Sequence, residues 1–210
     1  MTTTTILYTH HIDGALNRLP RYATALRRRR RDATGDVLLL DLGDACVPTS
    51  EPCALTDGRA VPIVLDAMGY AAIYVGGYLT DATRDKLRAN TLATALVDDA
   101  HPYITDTGIA FGVEPPPAHP HRFHIATASG DAVALSDGPT LNDIYTLTLR
   151  ALAAWEIGVV EVALGEMPQI IRASVEPVDR KTPPDATIAG TVDFVMDEVR
   201  LLKRTRGGSG

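Results

Sequence analysis

Two short stretches hold most of the side chains that could do chemistry. His10-His11-Ile12-Asp13-Gly14 follows the apolar run Ile6-Leu7-Tyr8, and Asp41-Leu42-Gly43-Asp44 closes the run Val37-Leu38-Leu39-Leu40. Imidazole and carboxylate both bind metal ions, and a carboxylate-rich set favours hard cations such as Mg²⁺ or Mn²⁺. The same acids also suit plainer duties. Asp13 before Gly14, Asp41 and Asp44 fit turn and cap positions, where they accept backbone N–H bonds. Carboxylates clustered without a cation repel and raise at least one pKa. A further group, His119-Pro120-His121-Arg122-Phe123-His124, offers imidazoles for a transition metal. Its proline spacing lacks the i, i+4 geometry of helical ligand pairs, so a surface loop entering a strand is the simpler reading. His101 before Pro102 reads as a turn residue, and Trp155 as helix packing rather than ligand stacking. No dinucleotide-type glycine loop, Walker-type loop or Gly-x-Ser-x-Gly elbow is present.

The elements that must position these groups follow from the apolar pattern. An apolar run ending in polar residues and glycine reads as a buried parallel strand, and ligands sit at the carboxyl ends of such strands. The pattern predicts a strand over 4–9, a helix over 20–31 opened by Pro20, and a strand over 37–41. A long loop over 42–57, with Pro48 and Pro52, separates the latter from a helix over 60–68 ended by Gly69. Strands over 71–75 and 91–97 flank a helix to Arg88 capped by Thr80. The span 98–122, with Pro115-Pro116-Pro117, is the least regular. Beyond it the pattern predicts a β-hairpin over 123–128 and 132–135, a long helix over 140–156, and a buried strand over 159–164. An irregular span over 168–184 leads to a short strand over 186–189 ending at Gly190, then a helix over 193–204. Strands alternating with helices make this an α/β chain.

Composition narrows the classes. The 210 residues suit a single domain over 1–204 with a flexible tail over 205–210, and 45% hydrophobic content can build a core. A net charge of −6 argues against general nucleic-acid binding. The run Arg27 to Arg31 reads as a solvated helix end, with contact to a polyanion or anionic lipid as the other reading. Cys46 and Cys53 share one loop, neither a disulfide framework nor a compact zinc pair, and are expected to be free thiols. No run approaches the roughly 18 apolar residues of a membrane span. Nor does the start show the basic and apolar regions of a secretory signal, so a cytoplasmic protein is expected.

The order and spacing of the first motifs resemble the metallophosphoesterase (calcineurin-like) superfamily, in its 5′-nucleotidase-like branch. That family runs strand–Asp-x-His-Gly, strand–Asp-x-Gly-Asp, then Gly-Asn-His-Glu. The resemblance implies a four-layer α/β/β/α sandwich and a pair of ions that polarise a phosphoryl group and activate a bridging water. Position by position, His11 stands at the family's Asp and Asp13 at its His, an exchange of ligand types; on a strand, i and i+2 would face the same way. Asp44 keeps the bridging Asp. Gly77 replaces the metal-binding Asn, Tyr78 the catalytic His, and Asp81 matches the acid that orients that His. Glu166 falls near a later His, and Gly190-Thr191-Val192-Asp193 on the final Gly-His-x-His. The first ion's positions, His11, Asp13, Asp44 and Asp193, can all bind metal. The second ion's positions, Asp44, Gly77, Glu166 and Thr191, include two that are poor in donors.

The resemblance therefore implies a degenerate metallophosphoesterase fold. Such a pseudoenzyme would have a binding, assembly or regulatory role, with one divalent cation, Mn²⁺ or Mg²⁺, or none. Its partner would be a protein or a small phosphorylated ligand. The alternatives are an active phosphoesterase or 5′-nucleotidase-like hydrolase with rearranged ligands, and a structural subunit without metal. The chain is too short for the C-terminal domain that supplies base-stacking aromatics in full-length 5′-nucleotidases, so nucleotide specificity does not carry over.

Overall fold

The computed structural model describes residues 2–90, 92–116, 123–136, 138 and 143–207. Its centre is β1 (Thr2–Thr9), buried continuously from Thr4 onward. β1 pairs in parallel with β2 (Asp36–Asp41), which leads on to β3 (Ala72–Tyr74) and β4 (Ala95–Val97). On its other side it pairs antiparallel with β10 (Glu156–Leu164), and β11 (Gln169–Pro177) forms the edge. The order of this first sheet is β11-β10-β1-β2-β3-β4.

Strand periodicity builds two cores from one sheet. Leu7, Leu39 and Val159 face a helical layer, while Ile6, Tyr8, Leu38, Leu40, Val160 and Val162 face a second sheet. The helical layer holds α1 (Leu19–Asp32), α2 (Glu51–Leu55), α3 (Ala60–Ala67), α4 (Asp81–Ala89) and α5 (Ala186–Gly207). Each sends apolar side chains into the same core, among them Leu26, Cys53, Val64, Leu87 and Val195. The second sheet is ordered β5-β6-β7-β9-β8. It comprises β5 (Tyr103–Ile104), β6 (Ile109–Gly112), β7 (Phe123–Gly130), β8 (Ala134–Leu135) and β9 (Tyr145–Arg150). Phe111, Phe123, Ile125 and Leu147 pack it against the first. Tyr8 joins the two sheets directly: its hydroxyl donates to the Arg150 carbonyl at 3.1 Å. The α/β fold with two stacked sheets is the one the motifs imply. Among the described residues the helices lie outside the first sheet only.

Several elements differ from the sequence pattern. The long helix expected over 140–156 is strand over 145–150, because Thr146-Leu147-Thr148-Leu149 alternates with period two and buries both leucines. That strand also splits the expected hairpin. β7 pairs in parallel with β9, and β8 pairs antiparallel with β9, so β7 and β8 are not neighbours. The irregular span after Pro168 contains the nine-residue edge strand β11, and the span after Asp98 contains β5 and β6. The strand expected over 186–189 is the first turn of α5, capped by Asp185, whose Oδ1 accepts the Ile188 N–H at 3.0 Å. Gly190 is therefore a helix residue, and α5 also takes in residues 205–207 of the expected tail.

Candidate metal centre

β1 and β2 end side by side, and the turns beyond them keep the pairing going. Leu42 N–H bonds the Thr9 carbonyl at 2.9 Å, His11 N–H the Gly43 carbonyl at 3.3 Å, and Asp13 N–H the Asp44 carbonyl at 2.9 Å. The backbone there is strained. His11, Asp13 and Asp44 have φ of 55°, 56° and 51°, a left-handed conformation that side chains disfavour. Residues are held this way only where surrounding structure enforces it, most often at functional sites. Gly43, at φ 131°, is needed for close approach, since a Cβ there would lie 3.1 Å from the Tyr74 ring.

These turns gather three donors. His11 Nδ1 lies 3.3 Å from Asp44 Oδ2, and His10 Nε2 lies 3.7 Å from the same oxygen. Donor atoms of His10, His11 and Asp44 all fall within 4.8 Å of one another, the spacing of ligands around one ion. The two imidazole rings lie 3.8 Å apart, tilted by 36°. Burial pushes the His10 pKa down, and the neighbouring His11 adds to this against the pull of Asp44 and Asp13. A neutral imidazole is the form that ligates a metal. His10 Nδ1 is buried with no hydrogen-bond partner, so this side chain has unused polar capacity inside the protein.

Beneath the cluster, Asp41 is fully buried and its pKa is pushed up to about 7 by that burial. Thr9 Oγ1 donates to it at 2.7 Å and Gly43 N–H at 3.1 Å, and Tyr70 hydroxyl meets Thr9 Oγ1 at 2.9 Å. Asp41 thus fastens the strand ends together. The Tyr78 hydroxyl is buried without a partner, and burial followed by the charges of Asp41 and Asp44 drives its pKa well above the usual phenol value.

The expected ligands are only partly brought together. His11 and Asp44 belong to the cluster. Asp13 is half-exposed, with Oδ1 4.0 Å from His11 Nδ1, outside the tight group. Asp193 is exposed on α5, because the segment expected to be strand and terminal turn is helix on the outer face of the sheet. Thr191 is on the same helix and donates to the Thr187 carbonyl at 3.2 Å. Glu166 is exposed in the turn after β10. Gly77 has φ 86° and open space where a Cβ would stand, and it brings no side-chain donor to the position expected for a second ion's ligand. His10 is the member of the cluster that sequence reasoning misses, because strand alternation sets residues 10 and 11 on opposite faces. β1 stops at Thr9, and the left-handed turn at His11 swings both rings to one side.

The remaining candidates are structural or lie outside the described residues. Residues 119–122 are among the latter. His124 is buried in β7, with Nε2 3.0 Å from the Gly112 carbonyl. Trp155 precedes β10 and stacks on Tyr22 with centroids 6.0 Å apart, flanked by Arg18 and Arg180. From the arginine run, Arg27 pairs with Asp185 and Arg29 with Glu176, tying the helix end to its neighbours. His101 is in a turn as expected, but not idle. Asp98 Oδ1 holds its Nδ1 at 2.8 Å, and Arg84 approaches the other carboxylate oxygen at 3.1 Å. Burial raises the Asp98 pKa, but the His101 and Ala100 bonds and Arg84 outweigh it and leave it below the usual range. Cys46 and Cys53 are not free thiols. They form a disulfide, with Cα atoms 5.7 Å apart, made possible because α2 folds the loop back on itself.

Comparison with solved structures gives consistent neighbours. The 5′-nucleotidase precursor of Thermus thermophilus matches over 95% of this chain with TM-score 0.66 at 12% identity. The calcineurin-like phosphoesterase YfkN of Bacillus subtilis matches over 96%, with TM-score 0.57 at 12% identity. The NAD nucleotidase of Haemophilus influenzae matches over 96%, with TM-score 0.55 at 10% identity. The chain spans 59% of the first of these, 99% of the second and 60% of the third. No protein-family model and no curated protein matches the chain. Two stacked sheets, strained turns at the ends of β1 and β2, and these neighbours together give the chain the fold of the calcineurin-like metallophosphoesterases.

Proposed function

We propose that this chain is a metallophosphoesterase-fold protein that keeps one cation site, at His10, His11 and Asp44, and has lost two-ion hydrolysis. Its role is then binding, assembly or regulation. The observation that carries this reading is the unequal donor supply: three donors converge beyond β1 and β2, while after β3 Gly77 has no side-chain donor and the Tyr78 hydroxyl is buried. A two-ion clamp stabilises both the attacking and the leaving oxygen, and a single ion does not. Bound there, a cation would supply Lewis acidity or an anchor for a phosphorylated ligand. The protein's own part is to hold a neutral His10 and keep the turns strained. Two imidazoles and one carboxylate suit zinc or iron(II) at least as well as the manganese or magnesium expected from sequence. A disulfide persists in an oxidising compartment, so the Cys46–Cys53 cross-link speaks against the cytoplasmic placement expected from sequence. No helix among the described residues is long and apolar enough to cross a membrane.

One observation favours the alternative of an active hydrolase. The Asp98–His101 pair with Arg84 borders a cleft of about 350 Å³ beside Gly77, and could replace the lost histidine. A single assay separates the two. Purified protein with added Zn²⁺ or Mn²⁺ is expected to show a higher melting temperature and no hydrolysis of p-nitrophenyl phosphate or its bis-ester. Turnover that disappears in both Asp44→Asn and His101→Ala would overturn the binding-protein reading.

A further inference from the structure

One cross-link braces both ligand turns. Cys46 lies two residues beyond Asp44, and Cys53 lies on α2. On the other turn, Gly14 follows Asp13 and is packed against the same cross-link. A Cβ at Gly14 would stand 2.8 Å from Cys53 Sγ and overlap Ser50 Oγ. Ser50 Oγ donates to the Gly14 carbonyl at 3.4 Å, and Gly14 N–H bonds the Ala45 carbonyl at 2.9 Å. The left-handed backbones of Asp13 and Asp44 need such enforcement from outside. α2 has five residues, too few to hold its shape by helix formation alone. Both cysteines are buried, and with Val47, Pro48 and Tyr78 they line a cleft of about 230 Å³, the side from which a small reductant would approach.

We propose that the Cys46–Cys53 disulfide positions Asp44 and the His11–Asp13 turn, so that cation affinity depends on redox state. This rests on the reading that His10, His11 and Asp44 bind a cation. Opening requires a dithiol reductant. One of its thiolates attacks a cysteine sulfur to give a mixed disulfide, and its second thiol then closes onto the first. The reagent leaves as a cyclic disulfide, and two electrons and two protons pass to Cys46 and Cys53. The loop from Asp44 to α2 is then held only by its hydrogen bonds.

The test is calorimetric titration with Zn²⁺ of the oxidised wild type and of the Cys46→Ser/Cys53→Ser double variant, neither of which carries a free thiol to bind the metal. The expected result is affinity weaker by roughly 10–100-fold in the double variant, the range for residues that orient metal ligands. A Val64→Ala control, which removes buried packing in α3, is expected to lower the melting temperature without changing affinity. If the double variant fails to fold, reduced wild type is titrated with Mn²⁺, which thiolates bind poorly, and then re-oxidised to restore affinity. Equal affinity with and without the cross-link overturns the clamp and leaves the cation site standing. Oxidised wild type that binds no cation overturns the site itself, and the clamp with it.

Discussion

Asp41 shows how one side chain ties the site to the stability of the fold. Its native pKa of about 7 lies far above the roughly 4 of an unfolded aspartate. The native state therefore holds this proton more tightly, and stability falls as pH rises between those two values. Above about pH 7 the whole cost of a buried charge is present, on the order of 2–4 kcal/mol net of the relief that Thr9 and Gly43 give. His10 works the other way: its lowered pKa disfavours the folded state as pH drops below about 6.5. The two are separated by difference. In metal-free protein, urea midpoints measured from pH 5 to pH 8 are expected to fall more for wild type than for Asp41→Asn, whose side chain stays neutral. Parallel profiles would show that Asp41 is not the titrating group. The site residues are legible in the sequence in part, for the same local reason. His11, Asp13, Asp44 and Asp41 are visible as polar ends of apolar runs. His10 is not, because its inclusion depends on a left-handed turn that no residue type at position 11 announces.

At the level of elements, the first half of the fold is more readable from sequence than the second, where β7, β8, β10 and the later part of α5 follow the pattern but β9, β11 and the start of α5 do not. Up to β4 each strand carries a short buried apolar run, such as Ile6-Leu7-Tyr8 and Leu38-Leu39-Leu40, and the longer helices are amphipathic, so period and length agree. Later the signals compete. Leu141, Ile144 and Leu147 fall at helical spacing, but Thr146 to Leu149 alternate, and pairing with β7 on one side and β8 on the other settles the contest for strand. Around Gly190, glycine after a short apolar run resembles a strand ending in a turn. The segment is helix because Asp185 caps it and Ile188, Val192 and Val195 share one buried face. This gives a clean test. Gly190 has no positive φ and nothing within 4 Å of a Cβ. Gly190→Ala is therefore expected to stabilise the protein by about 0.5–1 kcal/mol, by relief of backbone entropy in a helix. A comparable loss of stability in denaturant titration would mean that Gly190 occupies a turn and that Asp193 could return to the rim.

The whole molecule places a compact donor set at the carboxyl ends of its central strands, where α/β sheets bind ligands. One sheet serves two cores, so the turns beyond β1 and β2 rest on packing from both sides and tolerate strain that an isolated loop would shed. The fold is shared with nucleotidases and phosphoesterases, yet fold alone does not carry activity. What this chain presents is a His10–His11–Asp44 group that could hold one cation, and a glycine without a donor at position 77. The most direct test is equilibrium dialysis of metal-free oxidised protein against Zn²⁺ or Mn²⁺, with bound metal counted per chain. The account predicts one ion per wild-type chain, its loss in His10→Ala and in Asp44→Asn, and its retention in Asp193→Asn. Two ions per chain, or one ion lost in Asp193→Asn and kept in His10→Ala, would contradict it.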